Sequence, residues 1–333
     1  MKTPGQTDGV TVRPLTTCEH GRWEALLSQS LEGTLFHSPL WLNALNVPYR
    51  IYGCFKGSDL RGGFAVTEGL KGIATHAQLT PYLGVVFPKP ADRCVTTLGV
   101  NKEIASSLAV FLKTEFDYVH FRCPPEITDL QPFIWEGWRI GLRYTYRIGV
   151  SDLPVVLEKM DATRRRNLRS AEKEGLLIDQ GDNFAQIIAL SEKTFERQGL
   201  VAEFNQTAHN LNSTLQNVGR CRGFLARDTS GRALGGVWIV WDEKRAYYMV
   251  GGYDESSSSS NAVACAMWHA IRFTSIELKL REFDFEGSMI PAVERFFRKF
   301  GGELLPTYTV EWRRPTLAWR ALKWARRVLS GQS

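Results

Sequence analysis

Between residues 222 and 251 the chain alternates apolar runs with short polar turns, and few folds accommodate that pattern. The runs 222–227, 233–241 and 245–251 are rich in Val, Ile, Leu and aromatics. Asp228-Thr229-Ser230-Gly231 separates the first two, and Asp242-Glu243-Lys244 the second two. Turns this short allow only antiparallel return, so the segment predicts a three-stranded meander. Beyond residue 260 the period changes. Ala264, Met267, Ile271 and Leu278 repeat at helical spacing and predict a helix over 262–279. A short strand over 281–285 comes next. Val293, Phe296, Phe297 and Phe300 then mark a helix over 291–300 that Gly301-Gly302 ends. A last strand or hairpin covers 303–312.

Upstream, helices are predicted over 153–159 and 162–174, with Gly175 as a stop. A strand over 176–179 and a helix over 183–198 lead into the meander. The first half is similar only in the order of its elements. A strand over 10–13, helices over 20–31 and 39–45, a hairpin of 49–55 with 60–67, a helix over 102–115 and a strand over 118–122 are expected. A chain of 333 residues is long for one core, so two domains are expected, over 1–148 and 149–312.

Hydrophobic residues are 44% and charged residues 23% of the chain, the balance of a folded protein. No run of about 18 apolar residues appears, as a membrane span would need. The start, Met1 to Arg13, has no apolar leader core, and a cytoplasmic location is expected. Six scattered cysteines form no CxxC pair or His/Cys cluster, so neither a zinc site nor a disulfide framework is indicated. The net charge of +6 suits an anionic partner or simple solubility equally.

Four segments, in order, resemble the GNAT superfamily and within it the two-domain Fem-type transferases. They are Phe36-His37-Ser38-Pro39-Leu40-Trp41, Leu79-Thr80-Pro81-Tyr82-Leu83-Gly84, the basic stretch from Arg165 to Gly175, and Phe283-Asp284-Phe285-Glu286-Gly287-Ser288 with Glu294-Arg295-Phe296 and Lys299-Phe300-Gly301-Gly302. The resemblance implies an α/β (α+β) fold of tandem GNAT-like domains, each a mixed, mostly antiparallel sheet flanked by helices. It also implies that the tail, 313–333, packs back on the first domain. Fem-type members that use aminoacyl-tRNA tend to carry Lys where this chain has Phe297.

GNAT-type transfer needs no protein nucleophile. An amine attacks a thioester or ester carbonyl while the protein positions both, stabilises the oxyanion and accepts a proton. Asp284 and Glu286 alternate with Phe283 and Phe285, so in a strand they share the face opposite the aromatics. Either carboxylate is a candidate catalytic group; pairing with arginine is the simpler role. Tyr248 and Tyr253, at the end of the meander, are candidate proton donors to a leaving thiolate, or packing residues. The resemblance puts the CoA pyrophosphate where the meander meets the next helix, here Ser258, Ser259, Ser260, Asn261 and Ala262. Unpaired N–H groups at a helix start favour phosphate. The usual Gly-rich signature is absent there, and a loop without a ligand is the alternative.

Gln78, Thr80 and Tyr82 line the acceptor pocket by resemblance. His37 is a further candidate contact whose simpler role is structural. Arg165 and Arg169 share a helix face, suited to a pyrophosphate, a tRNA backbone or plain solvation. The segment 313–329 is amphipathic and basic, and reads as docking on the first domain or touching an anionic membrane at its inner face. The expected activity is N-acyl transfer from acyl-CoA to an amine of a cell-envelope or polysaccharide precursor, with no metal. The acceptor would be a small molecule or a nucleotide- or lipid-linked amine. The alternatives are aminoacyl-tRNA-dependent transfer onto a peptidoglycan precursor or small metabolite, and a non-catalytic pair that binds nucleotide sugar or nucleic acid.

Overall fold

The computed structural model describes residues 9–197, 199, 201–255, 261–287 and 289–315. Its strands are β1 (Val10–Pro14), β2 (Tyr49–Lys56), β3 (Asp59–Glu68), β4 (Ile73–Thr75), β5 (Val85–Val86), β6 (Tyr118–Cys123), β7 (Arg139–Gly149), β8 (Leu177–Asp179), β9 (Cys221–Arg227), β10 (Ala233–Trp241), β11 (Arg245–Tyr253), β12 (Glu282–Asp284) and β13 (Glu303–Arg313). Its helices are α1 (His20–Gln29), α2 (Pro39–Ala44), α3 (Cys94–Glu115), α4 (Gln131–Trp135), α5 (Leu153–Lys159), α6 (Ala162–Lys173), α7 (Phe184–Glu196), α8 (Asn205–Asn217), α9 (Asn261–Ile276) and α10 (Pro291–Arg298).

The meander forms as the turns dictate: β9, β10 and β11 pair antiparallel in sequence. Local chemistry sets several helix starts. Ser38 accepts a hydrogen bond from the Trp41 N–H at 3.2 Å with Pro39 in the first turn of α2, and Asp152 caps α5 through Val155 at 3.1 Å. The elements α8 and β7 have no counterpart among the sequence expectations, and α3 starts at Cys94 rather than near residue 102.

Among the described residues the strands form one sheet in the order β1-β2-β3-β4-β6-β13-β7-β12-β11-β10-β9-β8, with β5 beside β3. Only β4 with β6 and β11 with β12 run parallel; the other pairs are antiparallel. The centre of the sheet mixes the two halves. β13 pairs along β7 from Glu303↔Arg147 to Glu311↔Arg139 and along β6 from Tyr308↔Cys123 to Arg313↔Tyr118. β7 also pairs with β12. The last strand of the second half is thus held between two strands of the first.

Three large apolar cores cover this sheet, with a small fourth cluster of Ala226, Leu234 and Ala262. One, with Tyr52, Phe64, Leu108, Phe121, Phe133 and Trp138, belongs to the first half. A second packs α5, α6, α9 and α10 on the second half through Val156, Leu168, Met267, Phe283, Phe285 and Phe297. The third joins the halves: Trp23, Phe36 and Trp41 cluster with Trp238, Tyr247 and Met249. The Phe36 and Tyr247 rings lie 4.8 Å apart, edge to face. Each such ring, fully buried, contributes about 1.5–3 kcal/mol, so this core binds the halves firmly. No described helix is long and apolar enough to cross a membrane.

Candidate active site

Two features of the sheet converge at its centre. The first is a splay. β11 and β12 pair in parallel through Arg245↔Glu282, Ala246↔Phe283 and Tyr247↔Asp284, and pairing stops there. β11 runs on to Tyr253 while the chain after Asp284 turns toward β7, with the Phe285 N–H on the Tyr146 carbonyl at 2.9 Å. The register of β11 on β10 also steps over Met249, since Ile239 faces Tyr248 and Trp238 faces Val250. Such a bulge bends a strand away from its neighbours.

The second is the turn after β12. The strand alternation expected for residues 283–286 holds only to Asp284. Glu286 adopts φ +59, a left-handed backbone rarely taken by a residue with a side chain, and Gly287 follows at φ +65. A side chain on Gly287 would fall 2.1 Å from the Tyr144 carbonyl oxygen, so the turn lies flat on β7. This turn, rather than strand pleating, carries the Glu286 carboxyl to a cavity of about 380 Å³. The cavity is lined by the segment 76–82, by Arg122 of β6, Arg143 and Tyr144 of β7, Glu286, Gly287, and Thr307 of β13. Elements of both halves therefore wall it.

Asp284 and Glu286 occupy opposite kinds of environment. Asp284 is fully buried and satisfied. It accepts from Thr145 Oγ1 at 2.7 Å, the Glu286 N–H at 2.8 Å, Tyr82 Oη at 3.1 Å and Arg147 at 3.3 Å. It does not line the cavity, and the arginine pairing expected as its simpler role is present, whereas Glu286 leaves the strand and lines the cavity. Glu286 Oε1 is buried without a hydrogen-bond partner. Burial, and then the charge of Asp284, push its carboxyl well above the ordinary range, against the opposing pull of Arg122. A carboxyl so placed holds a proton more tightly than an exposed one.

The segment 76–84 is fixed from below. The Leu83 N–H donates to the Arg122 carbonyl at 2.9 Å. Thr80 Oγ1 accepts from Trp41 Nε1 at 3.1 Å and donates to the Gln78 carbonyl at 3.2 Å. Gly84, at φ +142, lies where a Cβ would meet the Phe121 ring at 2.4 Å. Gln78, Thr80, Tyr82 and Glu286, far apart in sequence, thus meet around one cavity. Its floor carries more chemistry than the sequence suggested: Arg122, Arg143 and His76, with His76 Nδ1 3.2 Å from His120 Nδ1. These lie on strands and a loop whose own pattern signals no site.

The remaining candidates lie elsewhere. His37 is fully buried, its Nδ1 2.8 Å from Thr34 Oγ1, and burial lowers its pKa to about 3. It belongs to the core joining the halves and does not line the cavity. Tyr248 packs on Phe297 at 5.5 Å, and Phe285 on Phe297 at 5.3 Å, so aromatic rings fill one face of the sheet at the base of the splay. Burial, with Glu286 nearby, raises the Tyr248 pKa. Tyr253 is exposed at the end of β11 beneath Arg197. Arg165 donates to the Glu158 carbonyl at 2.8 Å and ties α6 to α5; Arg169 is exposed. Asn261 donates to Glu174 at 3.1 Å, and the Ala262 side chain is buried against β10 at Gly235. Ser258, Ser259 and Ser260 lie outside the described residues, as does the tail from 316. Among the described residues no group of His, Cys, Asp or Glu could hold a metal ion.

Residues 158–298 match the family described as "Acetyltransferase (GNAT) domain". That stretch of the second half is similar to a GNAT domain. The first half extends the likeness beyond that match. The crystal structure of FemX covers 89% of this chain and 96% of its own at 13% identity and a TM-score of 0.68. A tandem GNAT protein from the clavulanic acid biosynthesis pathway covers 91% and 98% at 12% identity and a TM-score of 0.52. L-PGS from Bacillus licheniformis covers 92% and 96% at 14% identity and a TM-score of 0.51. No curated protein sequence matches. The fold is thus a mixed, mostly antiparallel sheet flanked by helices, similar over most of the chain to FemX and to a tandem GNAT protein.

Proposed function

We propose that this chain is an N-acyltransferase that moves an acyl group from acyl-CoA to an amine held in the cavity beside Glu286. The observation that carries the reading is the end of β11–β12 pairing at Tyr247↔Asp284, two residues before the Glu286 carboxyl. Strands that part there leave the inner edge of β11 without its β12 partner, and a thioester arm laid along it meets an acceptor in the cavity. The amine nitrogen attacks the thioester carbon and the C–O π pair moves to oxygen. Glu286 takes the proton from nitrogen. When the oxyanion collapses, the C–S bond breaks, and the CoA thiolate leaves and is protonated from solvent or by Tyr248. In its carboxylate form Glu286 is a stronger base than an exposed glutamate, because burial and Asp284 raise its affinity for a proton. The entry to α9, with Ser258 to Asn261, is the proposed seat of the CoA phosphates. An envelope or polysaccharide amine remains the proposed acceptor.

One observation favours a second donor, an aminoacyl-tRNA: Arg166 and Arg169 are exposed on α6, beside α9, as a phosphate backbone would require. The two donors separate in one experiment. Acetyl-CoA is expected to raise the Tm of the purified chain, and amine-dependent release of free thiol should fall at least 100-fold in Glu286→Gln. Stabilisation by charged tRNA alone would transfer the proposal to the second donor. Thiol release unaffected by Glu286→Gln would remove Glu286 from it.

A further inference from the structure

Arg122 and Arg143 differ from Arg147 and Arg245 of the central charge cluster; Arg164, buried without a carboxylate as well, is covered instead by the Phe296 and Phe300 rings and donates to the Phe296 carbonyl. Arg147 and Arg245 each reach Glu126 at 2.7 Å and have further carboxylates near. Arg122 and Arg143 line the cavity, and among the described residues neither meets a carboxylate within ion-pair distance. Arg122 Nε is buried with no hydrogen-bond partner. The groups around them do not supply the missing charge. Burial and the two arginines hold His76 neutral, with a pKa of about 3, and also depress His120. Among the described residues Glu286 is the one carboxyl lining the cavity, and its surroundings favour the protonated form. Glu311, near His120, lies 3.7 Å from Arg139 instead. Burial and Arg143 together bring the Arg122 guanidinium down to about 10, so it pays for its position.

An uncompensated guanidinium inside a protein is costly, and Arg122 so placed, with Arg143 beside it at the cavity edge, marks a place for an anion from outside. We propose that Arg122 and Arg143 receive an oxyanion carried by the acceptor amine itself. The acceptor is then a zwitterion, an amine joined to a carboxylate or phosphate. The guanidinium forks grip the oxyanion and orient the amine toward Glu286. Gln78, Tyr144 and Thr307 are the neutral polar groups available to the rest of the molecule. The proposal rests on the reading of this cavity as the acceptor site, but not on the identity of the donor.

The test is acceptor binding measured by calorimetry without any donor, using matched probes: glucosamine 6-phosphate against glucosamine, and alanine against alaninamide. The anionic member of at least one pair is expected to bind at least 10-fold more tightly, with an advantage that shrinks as salt is added. Arg143→Gln should abolish that advantage and leave the neutral member unchanged, while Arg143→Lys restores part of it. Arg143 is half-buried at the cavity edge, so its variants test the idea even if Arg122→Gln fails to fold. Which pair responds distinguishes phosphate from carboxylate. Equal affinity for charged and neutral members of both pairs, or an equal loss for both in Arg143→Gln, overturns the proposal. Because no donor is present, failure of the CoA reading leaves this result standing, and the reverse also holds.

Discussion

Glu286 concentrates two costs in one residue: a left-handed backbone at φ +59 and a buried carboxyl with an unpartnered oxygen. Both are what a functional position tolerates and a structural one sheds. The costs can be separated by pH. The folded state holds the Glu286 proton more tightly than the unfolded chain does. Its contribution is therefore least unfavourable below the ordinary glutamate range and worsens as pH rises toward the folded pKa. Glu286→Gln, neutral at every pH, should raise Tm relative to wild type at pH 8 and change it little at pH 4. Equal shifts at both pH values would mean that the carboxyl is not held neutral. At this scale the sequence exposed Glu286, Gln78, Thr80 and Tyr82 as candidates through their motifs. It did not expose Arg122, Arg143 or His76, because a lone basic residue on a strand carries no sign of what faces it. Nor did it tell that His37 is fully buried, its carbonyl taking the Trp23 indole N–H.

At the scale of elements, the site depends on β7, β12 and β13 lying side by side, and charge as well as hydrogen bonding holds them there. Glu126, in the loop after β6, takes both Arg147 of β7 and Arg245 of β11 on one oxygen at 2.7 Å each. Burial raises its pKa, but Arg245 and Arg147 outweigh that and keep it below the usual range. Asp284 and Glu282 complete the cluster. Removing one charge from such a buried group costs about 3–5 kcal/mol. Glu126→Gln should move the urea midpoint accordingly with an unchanged m-value, and a loss under about 0.5 kcal/mol would show the cluster to be energetically idle. β7 itself escaped sequence reading for a physical reason. β13 lies along one edge over Arg139 to Arg147, while β12 joins the other edge only from Arg147 to Gly149, so burial rises along the strand instead of alternating through it.

For the whole molecule, the mixing of strands at the centre of the sheet makes the halves interdependent. β13 has first-half partners on both edges, and the third core spans both halves. Unfolding should then be one transition, coincident by far-ultraviolet circular dichroism and tryptophan fluorescence, and residues 150–312 alone should not fold stably. Two separate transitions would show that the shared strands couple the halves weakly. The meander, the order of elements in the second half and the mostly antiparallel character of the sheet were legible in the sequence, because turn chemistry and hydrophobic period act over a few residues. Which strands meet across the middle, where β11 leaves β12, and which charges line the cavity were decided only on folding. Those contacts join residues well separated along the chain, as Arg245 with Glu282 and Arg147 with Glu303, and they form because burying the rings of both halves fixes the backbone that carries them.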